Sequence, residues 1–421
     1  MLANDEINTK PGKLRFCMIT TFYPPYNFGG DGIAVQRLAR ELAARGHQVD
    51  VIHCADAYLL QTGVAPNSEP DPPTDGVRVH SLRSSAGVLS PILTQQTGRP
   101  VFKPELRQRL ENGGFDVIHF HNMSLIGITA LRFGNAVKLY TTHEHWLVCP
   151  MHVLWRMDRE VCVRRTCARC MLAAGKPPQY WRHTGLVNRC AAEVDAFIAP
   201  SRFTLEKHRE LGLRTRRSVV LPHFLPDPGG LPDGPPASEP YFLYVGRLEK
   251  IKGVQVLLRV FKSMPLRRLL IVGDGVYRAE LERQAGGAPN IEFLGRREGG
   301  ELSQLYAGAL ATLVPSLCYE VFGLVLIESL AVGTPVIAHH LGSLPEIVET
   351  SGAGLTYRTD AELENALESL ATDPGLRQRF SKAGLEAFQA NWTADRHIAR
   401  YLELIAELQA TRHHSPTHLD S

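Results

Sequence analysis

The chain has 421 residues and a mass of 46.7 kDa, with 44% hydrophobic, 21% charged and 8% aromatic residues. That length predicts two or three domains with sizeable cores, and the ordinary apolar content excludes disorder throughout. A total of 46 basic against 43 acidic residues gives a net charge of +3, too balanced for a general nucleic-acid binder. No run approaches the roughly eighteen apolar residues of a membrane span, and the polar opening MLANDEINTKPGK lacks the apolar centre of a secretory leader. A cytoplasmic protein is expected, with peripheral contact at the inner face of the membrane left open, because weak anchoring leaves little trace in a sequence. The Ala/Arg/Gly-rich composition suggests a bacterial source.

In chain order, RFCMIT (15–20) reads as a buried strand, followed by a glycine-bearing loop and a helix over 32–45 that stops at Gly46. Strands follow at 48–53, 77–82, 116–120, 137–142, 196–200 and 218–221, with helical stretches between some of them. Such alternation predicts a parallel, doubly wound sheet over residues 14–222. Composition then breaks: 223–240 is rich in proline and glycine and reads as a linker. Alternation restarts over 241–390 with YFLYVG, RRLLIVGDG, IEFLG, ATLVPS and PVIAH as strands. An amphipathic helix is expected over 391–410, beginning near Ala394, and the tail 411–421 reads as disordered. Two Rossmann-like units of this kind leave a cleft between them, with ligands at the carboxyl ends of the strands.

The most informative segment is PSLCYEVFGLVLIESLAVGTPVIA, 315–338. Glu320 and Glu328 are eight residues apart; along one helix that is roughly 12 Å. A glycosidase pair needs about 5–10 Å, so the two suit opposite ends of one elongated ligand. Phe322-Gly323 between them would open the helix and free N–H groups for an anion. Val245-Gly246-Arg247 ends a strand and Lys252 follows five residues after Arg247, so both cations can reach one diphosphate. Gly273-Asp274-Gly275 follows the strand LLIV, where glycine lets a backbone approach a phosphate closely.

Together with GGDGIAVQRLARELAARGHQV near the N-terminus and LGSLPEIV near the C-terminal end, these motifs resemble the retaining glycosyltransferases of family 4. The resemblance covers about residues 14 to 410 and implies an α/β chain of GT-B fold, two facing Rossmann-like domains. It implies that Arg247 and Lys252, with Gly246, Gly273, Asp274 and Gly275 around them, hold a nucleoside-diphosphate sugar, most often of UDP or GDP. Glu328 would hold the ribose, while Glu320, Phe322, Gly323 and Leu324 would contact sugar and phosphates. Gly29 and Gly30 match the family's glycine loop, and His121 matches its histidine beside the reacting sugar. His143 matches a further cleft position. His119 is expected on the opposite face of its strand, as a structural residue. Catalytic weight thus falls on His121, Arg247, Lys252 and Glu320. The chain has no Asp-x-Asp, the metal-carrying motif of the other major glycosyltransferase fold, so metal-independent hexosyl transfer to a glycan, lipid-linked or small-molecule acceptor is the coherent reading. Cell-surface glycan, glycolipid or natural-product synthesis would be its setting. A sugar-nucleotide 2-epimerase of the same architecture is the alternative enzyme, and a metal-containing scaffold the non-catalytic one.

Four of the eight cysteines, Cys149, Cys162, Cys167 and Cys170, lie within 22 residues in the pattern C-x12-C-x4-C-x2-C. In a cytosolic chain such clustering points to a metal before disulfides. Four thiolates suit a structural zinc, less well an iron–sulfur cluster, and four reduced cysteines without metal is the third reading. The segment 149–183 carries seven Lys or Arg against two acidic residues. This insert is the least family-typical part of the chain, and its place beside the cleft suits shaping an acceptor site for an anionic or lipid-diphosphate group.

Overall fold

Short apolar runs alternating with amphipathic helices assemble two all-parallel sheets in the computed structural model, which describes residues 12–66, 76–226 and 239–414. The first sheet contains β1 (Arg15–Thr20), β2 (Gln48–Cys54), β3 (Val77–Leu82), β4 (Val117–Phe120) and β5 (Val137–Thr141). A small antiparallel hairpin, β6 (Trp155–Arg156) and β7 (Glu160–Val161), interrupts it before β8 (Ala196–Ala199) and β9 (Ser218–Val220). The second sheet contains β10 (Tyr241–Val245), β11 (Arg268–Val272), β12 (Ile291–Gly295), β13 (Ala311–Val314), β14 (Val336–His339) and β15 (Gly354–Tyr357). Their orders are β3-β2-β1-β4-β5-β8-β9 and β12-β11-β10-β13-β14-β15. Each order reverses direction once, between β1 and β4 and between β10 and β13, and crevices for ligands open at such reversals.

Apolar side chains on both sides of β1 explain why it lies mid-sheet. Cys17 and Ile19 enter one core and Phe16 and Met18 the other, all fully buried. The helix Gly30–Ala44 covers the second face with Val35, Leu38, Ala39 and Leu42. The C-terminal helix, Ala394–His414, crosses back to the same face. Its Ile398, Tyr401, Leu404, Ile405 and Leu408 pack among the side chains of β1, β4 and β5, and the Tyr401 hydroxyl meets His119 Nδ1 at 2.8 Å.

Several expectations change here. The helix continues through His414, because Arg412 reaches Asp195 at 2.7 Å and anchors the last turns; residues 415–421 of the expected tail lie outside the described residues. Residues 223–225 of the expected linker are packed: Phe224 and Leu225 are buried, and the Leu225 N–H donates to the Trp392 carbonyl at 3.0 Å. The centre of that linker, 227–238, lies outside the described residues. Strand β15 and the hairpin β6–β7 went unread, since GLTY offers only four residues at a sheet edge and each hairpin strand only two.

Ile405 is fully buried against the first sheet. Ile405→Ala is expected to cost about 2–5 kcal/mol, read as a lower urea-unfolding midpoint; an unchanged midpoint would contradict the docking of this helix.

Candidate active site

The loop after β10 holds the first pair of predicted residues, and its shape follows from one glycine. Gly253 ends the turn Lys250–Lys252 at φ +77°, and a Cβ there would lie 1.9 Å from the Pro315 carbonyl oxygen. Only glycine lets the 246–253 loop lie against the loop after β13. That approach brings Lys252 Nζ to 2.7 Å from Glu320 Oε1, with the two side chains 21% and 19% exposed. The Ser316 hydroxyl donates to the same carboxylate oxygen. Burial works against the Lys252 charge, but the Glu320 carboxylate outweighs it and raises the lysine's pKa. Burial likewise opposes Glu320 ionisation, and Lys252 outweighs it, so the carboxyl titrates below its ordinary range. Both groups are therefore charged across neutral pH.

Arg247 stands on the same loop, over half exposed, with Nη1 2.7 Å from Glu249 Oε1. Gly246 is at φ +157°, with its N–H bonded to the Val272 carbonyl at 3.0 Å. A Cβ on Gly273 would meet the Gly246 oxygen at 1.9 Å, so this glycine is required by packing of the two loops. Asp274 and Gly275 follow. The Asp274 carbonyl accepts from Leu248 N–H at 2.9 Å, while its carboxylate accepts from Gly275 N–H and is 63% exposed.

Glu320 and Glu328 do not share a helix, contrary to the reading of the intervening run. The helix is Leu324–Ala331, and Gly323, at φ +141°, precedes it. Glu320 lies in the preceding loop, where it turns back to Lys252, and only Glu328 projects from the helix. Phe322 is buried, with its carbonyl accepting from the Ser343 hydroxyl at 2.6 Å. The Tyr306 hydroxyl donates to Glu328 Oε2 at 2.9 Å, and Arg37 Nη2 stands 3.7 Å from Glu328 Oε1. No motif marks Arg37, yet it follows Gly30 by seven residues, two helical turns, and so shares that residue's face of the helix.

The two halves meet here. A Cβ on Gly29 would lie 4.0 Å from the Arg247 guanidinium, and one on Gly30 3.4 Å from Leu324 Cδ1. Ser201 and Thr204 hydroxyls donate to the Val321 carbonyl at 2.7 and 2.9 Å. Glu346 accepts the N–H groups of Arg202 and Phe203, at 2.9 and 3.2 Å, at the start of the helix Arg202–Glu210.

His121 extends from β4 into a row of imidazoles. Its Nδ1 lies 2.8 Å from His143 Nε2, and its own Nε2 is buried without a partner. His143 stacks on His223 with ring centroids 5.0 Å apart, and His223 meets the edge of Phe322 at 5.4 Å. His119 shares the face of His121, with ring centroids 3.9 Å apart. Residues i and i+2 of a strand point the same way, which corrects the expected opposite orientation. His119 is held at both nitrogens, by Tyr401 and Thr141, each at 2.8 Å. Burial pushes His119, His121 and His143 well below the ordinary imidazole value, and brings His223 to about 3 and His397 to about 4.

The insert follows β5. Cys149 is buried, Cys162, Cys167 and Cys170 are partly exposed, and all are unpaired by disulfides. Among the described residues, no three His, Cys, Asp or Glu side chains are gathered closely enough to hold a metal ion. Among the same residues, no helix is long and apolar enough to cross a membrane.

Comparison with known proteins fits this geometry. The family model described as Glycosyltransferase Family 4 matches residues 28–226, and that described as Glycosyl transferases group 1 matches residues 233–387. Glycogen synthase of Mycobacterium tuberculosis is 27% identical over 407 residues, 90% of this chain and 91% of that protein. Sucrose-phosphate synthase from Thermosynechococcus elongatus has the same fold, with a TM-score of 0.73 and 23% identity over 95% of this chain and 100% of that one. So does Anabaena HepE, solved in complex with UDP and glucose, at a TM-score of 0.67 and 18% identity over 94% of this chain and 100% of that one. The protein has the GT-B fold. It belongs to the group 1 glycosyltransferases and is a glycosyltransferase enzyme.

Five neutral histidines, of which 119, 121 and 397 are buried and 143 and 223 partly buried, make stability depend on pH with a definite sign. Their folded pKa values lie below the unfolded value, so the unfolded chain binds more protons once pH falls beneath about 6.5. Stability is therefore complete above that value and is lost on acidification. Unfolding free energy is expected to fall between about pH 6.5 and pH 4, by up to about 1.4 kcal/mol per histidine per pH unit, and the thermal midpoint with it. A flat midpoint over that window would contradict neutral burial of the row.

Proposed function

We propose that the enzyme moves a hexosyl group from a UDP- or GDP-sugar to an acceptor hydroxyl, with retention of the anomeric configuration. One observation carries the reading: Arg247 and Lys252 stand on one loop at the carboxyl end of β10, with Arg247 beside Gly29 of the other half and Lys252 against Glu320. A nucleoside diphosphate combines the negative charge that suits the two cations with the ribose hydroxyls that suit the Glu328 carboxylate. That HepE was solved with UDP and glucose supports the same donor class.

In this reading Arg247 and Lys252 bind the diphosphate, together with N–H groups from the start of the Leu324–Ala331 helix. Lys252 is already ionised by Glu320, so the site is charged before the donor arrives. Glu328 takes the ribose hydroxyls, and Glu320, Phe322, Gly323 and Leu324 border the sugar and phosphates. Residues 14–222 supply the acceptor side, with His121 and His143 near the reacting sugar. Their neutral imidazoles offer hydrogen-bonding nitrogens and add no positive charge against the developing oxocarbenium.

As the bond from the anomeric carbon to the diphosphate oxygen breaks, negative charge grows on the diphosphate. Preorganised cations stabilise that charge most where water is excluded. The acceptor oxygen bonds to the anomeric carbon from the face the diphosphate leaves, and its proton passes to a departing phosphate oxygen. No enzymic nucleophile is needed. The basic insert beside the cleft suits an anionic acceptor, as in lipid-linked glycan synthesis.

Arg247→Ala is expected to lower kcat/KM by about 10²–10³-fold, measured with the cognate donor; near-normal turnover would overturn the diphosphate assignment. In a thermal-shift panel of UDP, GDP, ADP and TDP, one nucleotide should raise the midpoint, by an amount set by its occupancy. No shift with any of them would remove the donor class.

A further inference from the structure

The segment after Cys149 is built unlike the rest of the molecule. From 151 to 176 only Leu154 and Met171 are buried, while Val163 and Leu172 are 76% and 62% exposed. Two strands of two residues and a helix of seven, Cys167–Ala173, are its only regular structure. A stretch this long with so little apolar burial does not offset its own ordering entropy, and small modules of this kind are held by disulfides or a metal. It carries no disulfide.

Backbone strain is concentrated in the same place. Among the described residues, the four non-glycine positions with positive φ are His152, Leu154, Met157 and Asp158, at 49–70°. Side chains disfavour this left-handed region, so a surrounding constraint must hold them. What these bends accomplish is to fold the chain back on itself between the cysteines. The Cys149 carbonyl accepts the His152 N–H at 3.0 Å, and the Cys162 N–H reaches the Leu154 carbonyl at 2.6 Å, which returns Cys162 toward the turn containing Cys149. The Met157 N–H at the hairpin turn points to Cys170 Sγ at 3.5 Å, which ties the hairpin to the helix that carries Cys167 and Cys170. Cys167 and Cys170 stand three apart at the start of one helix, so both side chains share a face.

We propose that Cys149, Cys162, Cys167 and Cys170 close on one Zn²⁺, a structural site outside the catalytic cleft and independent of the donor assignment. Binding replaces four thiol protons: one Zn²⁺ and four S–H groups give a tetrathiolate of net charge −2 and four released protons. The charge is matched locally, since Arg156, Arg164, Arg165 and Arg169 lie within the same stretch. The thiols are near enough to act on one another electrostatically, Cys149 on Cys162 and Cys167 and Cys162 on Cys167 and Cys170, but no three are gathered at ligand distance, so the proposal requires the side chains to close on the ion as it binds. A fixed hairpin then presents Asp158, whose carbonyl and carboxylate accept from Lys250 Nζ at 2.9 and 3.0 Å, to the loop that carries Arg247 and Lys252.

The test is metal analysis of the full chain purified without chelator, dialysed against zinc chloride and desalted. About one zinc per chain is expected, and cobalt in its place should give the thiolate charge-transfer bands of a tetrahedral site. The double variant Cys167→Ser/Cys170→Ser should lose the zinc, whereas Cys190→Ser, at a buried cysteine elsewhere, should keep it. Less than about half an equivalent of zinc in the folded parent protein would overturn the site, as would iron with inorganic sulfide in its place, or full zinc retention by the double variant.

Discussion

The contact between Lys252 and Glu320 is the constraint around which the cleft is arranged. Two opposite charges 2.7 Å apart, each about four-fifths withdrawn from solvent, keep one another ionised. Their meeting requires the loop after β10 to touch the loop after β13, and that in turn requires glycine at 253. Parallel topology sets the neighbours: β10 and β13 adjoin because the strand order reverses there, so their carboxyl ends open onto one crevice. The first sheet repeats the arrangement with β1 and β4, which deliver Gly29, Gly30 and His121 to the facing wall.

Stabilising charge and excluding charge are divided between the two walls. The second sheet's loops carry the cations, each beside a carboxylate: Arg247 with Glu249 and Lys252 with Glu320. The first sheet's wall carries imidazoles that burial keeps neutral. The row His119, His121, His143, His223 also joins distant parts of the chain, since it runs from Tyr401 on the C-terminal helix to Phe322, two residues after Glu320. Packing of that helix is thus mechanically linked to the cleft, although it contributes no residue to the proposed chemistry.

Much of this was legible in the sequence, for a physical reason. A strand buried on both faces must be a continuous apolar run, which is why RFCMIT marks 15–20 to the residue; the edge strand 77–82, exposed at Arg78, Val79 and Ser81, is marked instead by its β-branched residues and its place in the alternation. Glycines forced by close loop contacts mark their positions equally well. What escaped depends on chain reversal or on contacts between halves. EVFGLVLIES is helix-compatible by composition throughout, which is why the sequence extends the helix to Glu320, while the break at Gly323 follows from its φ of +141°. Arg37 meets Glu328 only once the two halves face each other. The side-chain period of two puts His119 beside His121 on one face, as their ring centroids 3.9 Å apart show, so the expected opposite orientation does not hold. The insert's hairpin has too few residues per strand for any periodicity to register.

The central claim is that the crevice formed by these facing reversals holds a nucleoside diphosphate on Arg247 and Lys252. A crystal structure of the protein soaked with UDP or GDP tests it most directly. The account predicts diphosphate oxygens within hydrogen-bond distance, about 2.7–3.2 Å, of both cations and the ribose hydroxyls on Glu328. A nucleotide bound elsewhere, or one whose diphosphate leaves Lys252 paired to Glu320 alone, would contradict it.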